Sequence, residues 1–343
     1  MEFKLFFLFL QILSGCGINN IALEFILKLD SKCGIFLTFF ELSSIAIVNL
    51  PRIISKYLQG KGAKIPFKSF LPLVGTFFLL SITNNIAYAF SIPVPLHMIF
   101  RSASLITNAL LRFLILNEKI NLKQLFALIF VSFGTFTASF SSYKLSKQQN
   151  INNINNIIIE SEQKPGNFLI GVFFLFVVLF MSAFLGVLQE ITYKKYGRYP
   201  EEVLYFSHSL SVPLFIPFYK NIYSHIKIFN KSKPFIFSDE MISIIPSFIS
   251  QIPRLWIFFF INILTYHFCI RGVYQISSIT DSLTTTFMLS VRKFISILIS
   301  VLYFRNVFTF YHWISTILVF SGSIFYVIGK MENNQKKEIK KSN

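Results

Sequence analysis

The chain has 343 residues, 54% of them hydrophobic and only 14% charged, and it contains 44 phenylalanines. Soluble domains carry about 25% charged residues, so this composition argues against a soluble globular enzyme. The formal net charge of +17 comes largely from short segments between apolar runs, where Lys and Arg set membrane orientation. No basic region stands free of those runs, which argues against a nucleic-acid partner.

The first apolar run covers residues 3–27. Lys4 ahead of it, and Leu13-Ser14-Gly15-Cys16 inside it, resemble a cleaved leader. The run is nevertheless long enough to span a bilayer and has a counterpart in the second half of the chain, so it is expected to be retained. Further runs follow at 33–50, 69–90, 95–116 and 123–142, then at 167–190, 202–222, 252–271, 279–303 and 309–329. Hydrocarbon cannot satisfy open backbone groups. Runs of this length without strict alternation are spanning helices, not barrel strands. The expected fold is therefore an all-α polytopic membrane protein with ten transmembrane helices as two inverted five-helix repeats. Residues 1–142 would be the first repeat and 167–330 the second. Residues 143–166 form an Asn-rich lumenal connector containing Asn-Ile-Asn-Asn repeats, a composition that cannot build a core. Residues 331–343 are a basic cytosolic tail.

An even number of spans puts both termini on one face. The segments on that face hold 17 Lys and Arg against 11 on the other, which favours cytosolic termini. The tail ends Lys340-Lys341-Ser342-Asn343. Lysines at the third and fourth positions from the end form a dilysine retrieval signal, read by coat proteins on the cytosolic side. Asn230-Lys231-Ser232 is a glycosylation sequon on the face this topology makes lumenal.

The repeat is visible in polar residues. Asn84, Tyr88, Phe90 and Ile92 in the third run match Asn262, Tyr266, Phe268 and Ile270 in the eighth. Glu24 and Lys28 match Glu190 and Lys194, Arg101 matches Arg292, and Gly134 matches Gly322, in the same order. Five spans per repeat is an odd number, so the halves insert in opposite orientations, as in many secondary transporters with sites between the repeats.

Ionisable groups inside spans are costly and face a cavity or a partner. In the fourth run His97, Arg101, Ser104, Asn108 and Arg112 are spaced 4, 3, 4 and 4, which aligns them on one helical face. Asp281, Thr285, Arg292 and Ser296 make a similar stripe in the ninth run, with Lys293 beside it. Two cationic stripes suit a phosphate or diphosphate, because Arg offers a bidentate fork and Lys a compact charge. The candidate substrate-binding residues are Arg101, Lys293 and Arg292, with His97, Asn108, Asn84, Asn85, Tyr88, Asn262, Tyr266 and His208 shaping the cavity or touching base and sugar. Glu24 and Glu190 are gating candidates. The competing structural reading pairs Arg101 with Glu24, Glu41 or Glu190 and Lys293 with Asp281, and lets Arg112 snorkel to the surface. Three cysteines without CxxC spacing support neither a disulfide framework nor a zinc site. The histidines lack metal-ligand spacing, so no metal or cofactor is expected. No GxSxG, HExxH, GxxxxGK[ST] or GxGxxG motif occurs, so the chain is not expected to be an enzyme.

These residues also carry a family resemblance. Pro95-Leu96-His97-Met98-Ile99-Phe100-Arg101-Ser102 resembles the PLHMIFRS segment of the UDP-N-acetylglucosamine/UDP-xylose transporters, within the nucleotide-sugar transporters of the drug/metabolite transporter superfamily. Val291-Arg292-Lys293-Phe294 resembles their LRKF, Cys269-Ile270-Arg271-Gly272-Val273 their CIRGV, and Gln189-Glu190 with Tyr193-Lys194 their QETLYK. The resemblance runs from the first span to the tenth and stops in the Asn-rich connector and the tail. It implies exchange of a cytosolic UDP-sugar for lumenal UMP in the endoplasmic reticulum or Golgi membrane. It also implies that Lys293 occupies the lysine position of the family's Gly-Ala-Leu-Asn-Lys motif, with Arg292 replacing the Asn. The Phe-Tyr-Asn-Asn motif falls on Tyr205-Phe206-Ser207-His208, from which Ser207 departs. Rival readings are a transporter of another phosphorylated solute, a membrane-embedded transferase and a scaffold. The transferase lacks a catalytic carboxylate or His pair, and the scaffold has no reason to bury polar stripes. A homodimer is compatible with the sequence.

Overall fold

The computed structural model describes the backbone of all residues except 1, 61, 91–93, 118–120, 156–164, 235–251, 305–307 and 343. Among the described residues the protein is built of helices and has no sheet. The α-helices are α1 (Glu2–Leu29), α2 (Gly34–Leu58), α3 (Phe70–Ala89), α4 (Val94–Ser102), α5 (Ser104–Leu116) and α6 (Leu122–Asn155). They continue with α7 (Pro165–Tyr196), α8 (Pro200–Ser209), α9 (Tyr219–Asn230), α10 (Arg254–Ile279), α11 (Ser282–Phe304) and α12 (Phe310–Ser342). Six segments among the described residues are long and apolar enough to cross a membrane: Leu5–Leu29, Gly34–Leu58, Phe67–Ala87, Phe168–Tyr196, Arg254–Ile279 and Phe310–Gly329. Exposed phenylalanines such as Phe6, Phe173, Phe176 and Phe260 line their outer faces, as a lipid-facing surface requires.

The chain forms two compact units, each drawing on both halves of the sequence. One holds Met1–Ala63 and Glu201–Tyr274, the other Lys64–Pro200 and Gln275–Asn343.

In the first unit α1 runs antiparallel to α10. Small residues let the backbones approach: a Cβ on Gly15 would lie 2.8 Å from the Phe268 ring, and one on Gly272 would lie 2.9 Å from Ile12. Gln11 Nε2 donates to the Phe268 carbonyl at 2.8 Å and Asn19 Nδ2 to the Asn262 carbonyl at 2.9 Å. At this crossing Cys16 and Cys269 form a disulfide, with Cα atoms 4.9 Å apart. The expectation of no disulfide is thus corrected. The partners are 253 residues apart, and only the helix crossing brings them together. Cys33 remains free and buried. At the other end of the crossing Phe36, Phe229, Leu255 and Phe259 are buried together, with Phe36 and Phe229 ring centroids 4.7 Å apart.

The seventh run, expected as one helix over 202–222, is divided. It ends as α-helix at Ser209, tightens into a 3₁₀ segment over Val212–Phe218, and resumes as α9. Pro213 and Pro217 each lack an N–H, so a continuous α-helix cannot pass through them.

In the second unit α6 and α12 pack antiparallel through Gly134 and Gly322. A Cβ on Gly134 would come within 2.9 Å of the Ser315 carbonyl, and one on Gly322 within 2.7 Å of Val131. Leu96, Ile99, Phe100, Leu175, Leu179 and Val319 fill the core of this unit. The fourth run is divided at Ala103, whose N–H donates to both the Ile99 and Phe100 carbonyls, a local 3₁₀ tightening. Helix α6 continues to Asn155, into the segment read as an Asn-rich connector. Residues 156–164 of that connector lie outside the described residues.

Candidate functional site

The second unit brings the cationic stripes together. Break and bond coincide: next to the turn at Ala103, Lys293 Nζ donates to the Arg101 carbonyl at 2.5 Å. Lys293 is buried and Arg101 partly so. His97 is fully buried within electrostatic range of both cations, and Arg292 lies within range of Lys293. Among the described residues no carboxylate forms an ion pair with Arg101 or Lys293. The pairings considered for them (Arg101 with Glu190, Lys293 with Asp281) are not those the structure forms. Two cations lie close at low exposure with no carboxylate paired to either among the described residues, an arrangement that is costly unless an anion visits it.

The acidic partners are taken by Arg112 instead. Rather than snorkelling, Arg112 is 3% exposed and ion-pairs with Glu190, itself 4% exposed. Arg112 also donates to Ser282 Oγ at 2.7 Å, and its other terminal nitrogen lies 4.0 Å from Asp281. Glu190 accepts from the Ser282 N–H at 2.9 Å and pairs with Lys194 at 2.7 Å. Asp281 accepts from the Thr284 N–H at 2.8 Å. Carboxylates thus satisfy two of the open N–H groups at the start of α11. The network joins α5, α7 and α11 and borders a cavity of about 430 Å³ lined by Glu190, Tyr193, Lys194, Arg198, Ser277 and Asp281. Asn108 is fully buried and accepts from Ser282 Oγ at 3.5 Å, while its Nδ2 has no hydrogen-bond partner among the described residues. Asn84 Oδ1 is likewise buried without one, and Asn85 is partly buried. The Tyr88 side chain lies outside the described residues.

In the first unit Asn262, matched to Asn84 by the repeat, is fully buried, and neither polar atom of its side chain finds a partner among the described residues. Its carbonyl is the one that holds Asn19. His208 is fully buried, donating from Nδ1 to the Leu204 carbonyl at 2.8 Å, with Nε2 3.4 Å from the Tyr266 hydroxyl. Ser207, at the motif's departure, bonds the Tyr274 hydroxyl at 2.9 Å. Glu24 is buried in this unit. Asn230 is exposed at the end of α9, and its Oδ1 accepts from Trp256 Nε1 at 2.8 Å. Lys340 and Lys341 lie on α12, and their side chains fall outside the described residues.

One cluster was missed by sequence reasoning. Glu201, in the first turn of α8, lies 3.2 Å from Arg52, 3.4 Å from Lys56 and 3.8 Å from Arg271. The run boundaries put Arg52 and Lys56 in a loop and Arg271 at the last residue of its run, but α2 extends to Leu58 and α10 to Ile279. The cations therefore stand on helices. The i, i+4 spacing of Arg52 and Lys56 was the available signal.

Among the described residues, helices with apolar outer faces and two neighbouring cations at low exposure accord with a polytopic membrane protein. The profile of the UAA transporter family matches residues 4–330, and the chain belongs to that family. It is 34% identical over 317 residues to a UDP-xylose and UDP-N-acetylglucosamine transporter of Danio rerio, covering 91% of this chain and 90% of the relative. It is 35% identical over 348 residues to a UDP-N-acetylglucosamine transporter of Dictyostelium discoideum, covering 96% and 95%. An endoplasmic reticulum GDP-fucose transporter of Drosophila melanogaster is 34% identical over 315 residues, covering 91% and 87%. The resemblance carried by Pro95–Ser102 and Val291–Phe294 is thereby borne out, and the chain is a transporter rather than an enzyme.

Proposed function

We propose that this protein is a nucleotide-sugar antiporter of the endoplasmic reticulum or Golgi membrane. It moves cytosolic UDP-N-acetylglucosamine, and with it UDP-xylose or UDP-glucose, into the lumen in exchange for UMP by alternating access. Ten spans in two inverted repeats and cytosolic termini follow the charge bias and the repeated motifs. Coat proteins would read Lys340 and Lys341, and Asn230 would face the lumen. A homodimer in the bilayer accords with this arrangement.

The reading rests on one observation: Arg101 and Lys293 are held together at low exposure with no carboxylate paired to either among the described residues. Nucleotide phosphates would supply the missing charge, with Arg292 assisting. Asn84, Asn85, Tyr88, Asn262 and Tyr266 would shape the cavity, and His97, Asn108 and His208 would contact base, ribose or sugar. Asn84, Asn108 and Asn262 each have a buried amide atom with no hydrogen-bond partner among the described residues, which a ligand would satisfy. Exchange follows if the empty carrier, with its cations bare, reorients poorly and ligand from either side lowers that barrier. Glu24 and Glu190 would take part in gating.

The test is uptake into proteoliposomes loaded with UMP, GMP or no nucleotide, offered radiolabelled UDP-N-acetylglucosamine, UDP-xylose, UDP-glucose, GDP-mannose and GDP-fucose. Uptake of a UDP-sugar stimulated by internal UMP is expected. The Drosophila relative's name gives a second reading, GDP-fucose exchange, in which internal GMP would stimulate instead. Absence of uptake of all five by folded protein would overturn both.

A further inference from the structure

We propose that Arg52, Lys56 and Arg271 form a phosphate-binding site, separate from the Arg101–Lys293 pair, in which Glu201 holds the place of the anion until a phosphate displaces it. As a loading site for nucleotide substrate, the proposal rests on the transport reading above.

The argument is one of charge and reach. Three cations from α2 and α10 converge on a single carboxylate within 3.2–3.8 Å. Within these pairs one carboxylate faces three cations, an excess of about two positive charges. A phosphate monoester carries about −1.5 to −2 at neutral pH, so it matches the excess where Glu201 does not. Two of the cations are arginines, whose forks suit phosphate oxygens, and Lys56 adds a point charge. The side chains are neither surface-random nor sealed. Arg271 and Glu201 are each 35% exposed, Lys56 37% and Arg52 48%. Ion pairs at that exposure are weak, so the carboxylate is displaceable. That distinguishes it from Glu190, whose pair with Arg112 is buried.

The surroundings add a second cue. His267 lies one turn before Arg271 on α10, and its Nδ1 is buried without a hydrogen-bond partner among the described residues, leaving a further polar group beside the cations. Arg52 and Lys56 are in the last turns of α2, and Glu201 is in the first turn of α8. The cluster therefore stands near helix ends, on the face made cytosolic by the proposed topology. There a nucleotide phosphate and an anionic lipid headgroup offer the same chemistry.

The two signs of charge make the proposal testable. Purified full-length protein in nanodiscs of phosphatidylcholine alone is titrated with UMP and with inorganic phosphate, at low and physiological salt. Glu201→Gln removes the competitor and is expected to tighten phosphate binding about threefold. Arg271→Gln and Arg52→Gln are each expected to weaken it about tenfold. A purely structural ion-pair cluster predicts that all three variants shift binding in the same direction or not at all, and either result overturns the proposal. A second arm repeats the titration with one third phosphatidylserine. If the anion is a lipid headgroup, phosphatidylserine suppresses UMP binding in the wild type and the suppression is lost in Arg271→Gln. If it is the substrate, UMP affinity is unchanged by lipid, and Glu201→Gln lowers the KM for uptake. Both outcomes support a phosphate site and name its source. Because binding is read without transport, loss of the Glu201→Gln effect indicts this site, whereas absent uptake with intact binding indicts the transport reading.

Discussion

Replacing Arg112 or Glu190 by methionine tests how the second unit is held together. Both side chains are almost completely buried, at 3% and 4% exposure. Removing one member of such a pair leaves the other charge uncompensated and costs about 3–5 kcal/mol. The two losses differ because the remaining partners differ. In Arg112→Met, Glu190 keeps Lys194 at 2.7 Å and the Ser282 N–H at 2.9 Å. In Glu190→Met, Arg112 keeps the neutral Ser282 Oγ and a carboxylate 4.0 Å away. Glu190→Met should therefore be the more damaging, near 5 kcal/mol, and Arg112→Met near 3 kcal/mol. At about 2–4 °C per kcal/mol, the thermal unfolding temperature in detergent, followed by fluorescence-detected size exclusion, should fall by roughly 10–20 °C in Glu190→Met and 6–12 °C in Arg112→Met. The double variant removes both charges together, and its loss should be at least about 2 kcal/mol smaller than the sum. Additive losses, or a Glu190→Met protein as stable as the wild type, would refute the reasoning.

Three other outcomes follow from the same coordinates. Arg101→Ala should abolish UMP-stimulated uptake while the protein still elutes as a folded species, and near-normal exchange would remove its phosphate role. Gly134→Ala and Gly322→Ala should each lower stability by about 1–3 kcal/mol, because the new Cβ meets backbone or packed side chain within 3 Å. Gly17→Ala, with nothing within 4 Å, should be neutral or slightly stabilising in the same thermal assay. Maleimide-polyethylene glycol should add one tag to the denatured, unreduced protein, at Cys33, and three tags after reduction. Three tags before reduction would show that Cys16 and Cys269 are not joined.

The helical class, the apolar runs and the family were legible because hydropathy and short polar motifs are local properties of the chain. The stripe from His97 to Arg112 was legible for the same reason, since a 3–4 spacing fixes a helical face. What it could not reveal was the partner of each stripe member. Arg101 and Arg112 sit on the same face, yet one lies beside a lysine and the other pairs with Glu190, because the turn at Ala103 separates their helices. The disulfide escaped notice because its cysteines meet only through the α1–α10 crossing. The division of the seventh run was readable in Pro213 and Pro217, and hydropathy alone passed over it. The Glu201 cluster was hidden by run boundaries drawn too short, which placed Arg52 and Lys56 in a loop and Arg271 at a run's last residue rather than on helix faces.

The disulfide also has a consequence for biosynthesis. Its cysteines are separated by 253 residues, and chains grow at about 5–20 residues per second. For roughly 10–50 s Cys16 is a thiol without its mate, and Asn19 lacks the Asn262 carbonyl that later accepts from it. The nascent α1 must wait in the bilayer while most of the chain is threaded past it. Any factor that shields polar groups of unfinished membrane proteins has its longest task here at the first helix, and oxidation of this pair is a late mark of completed insertion.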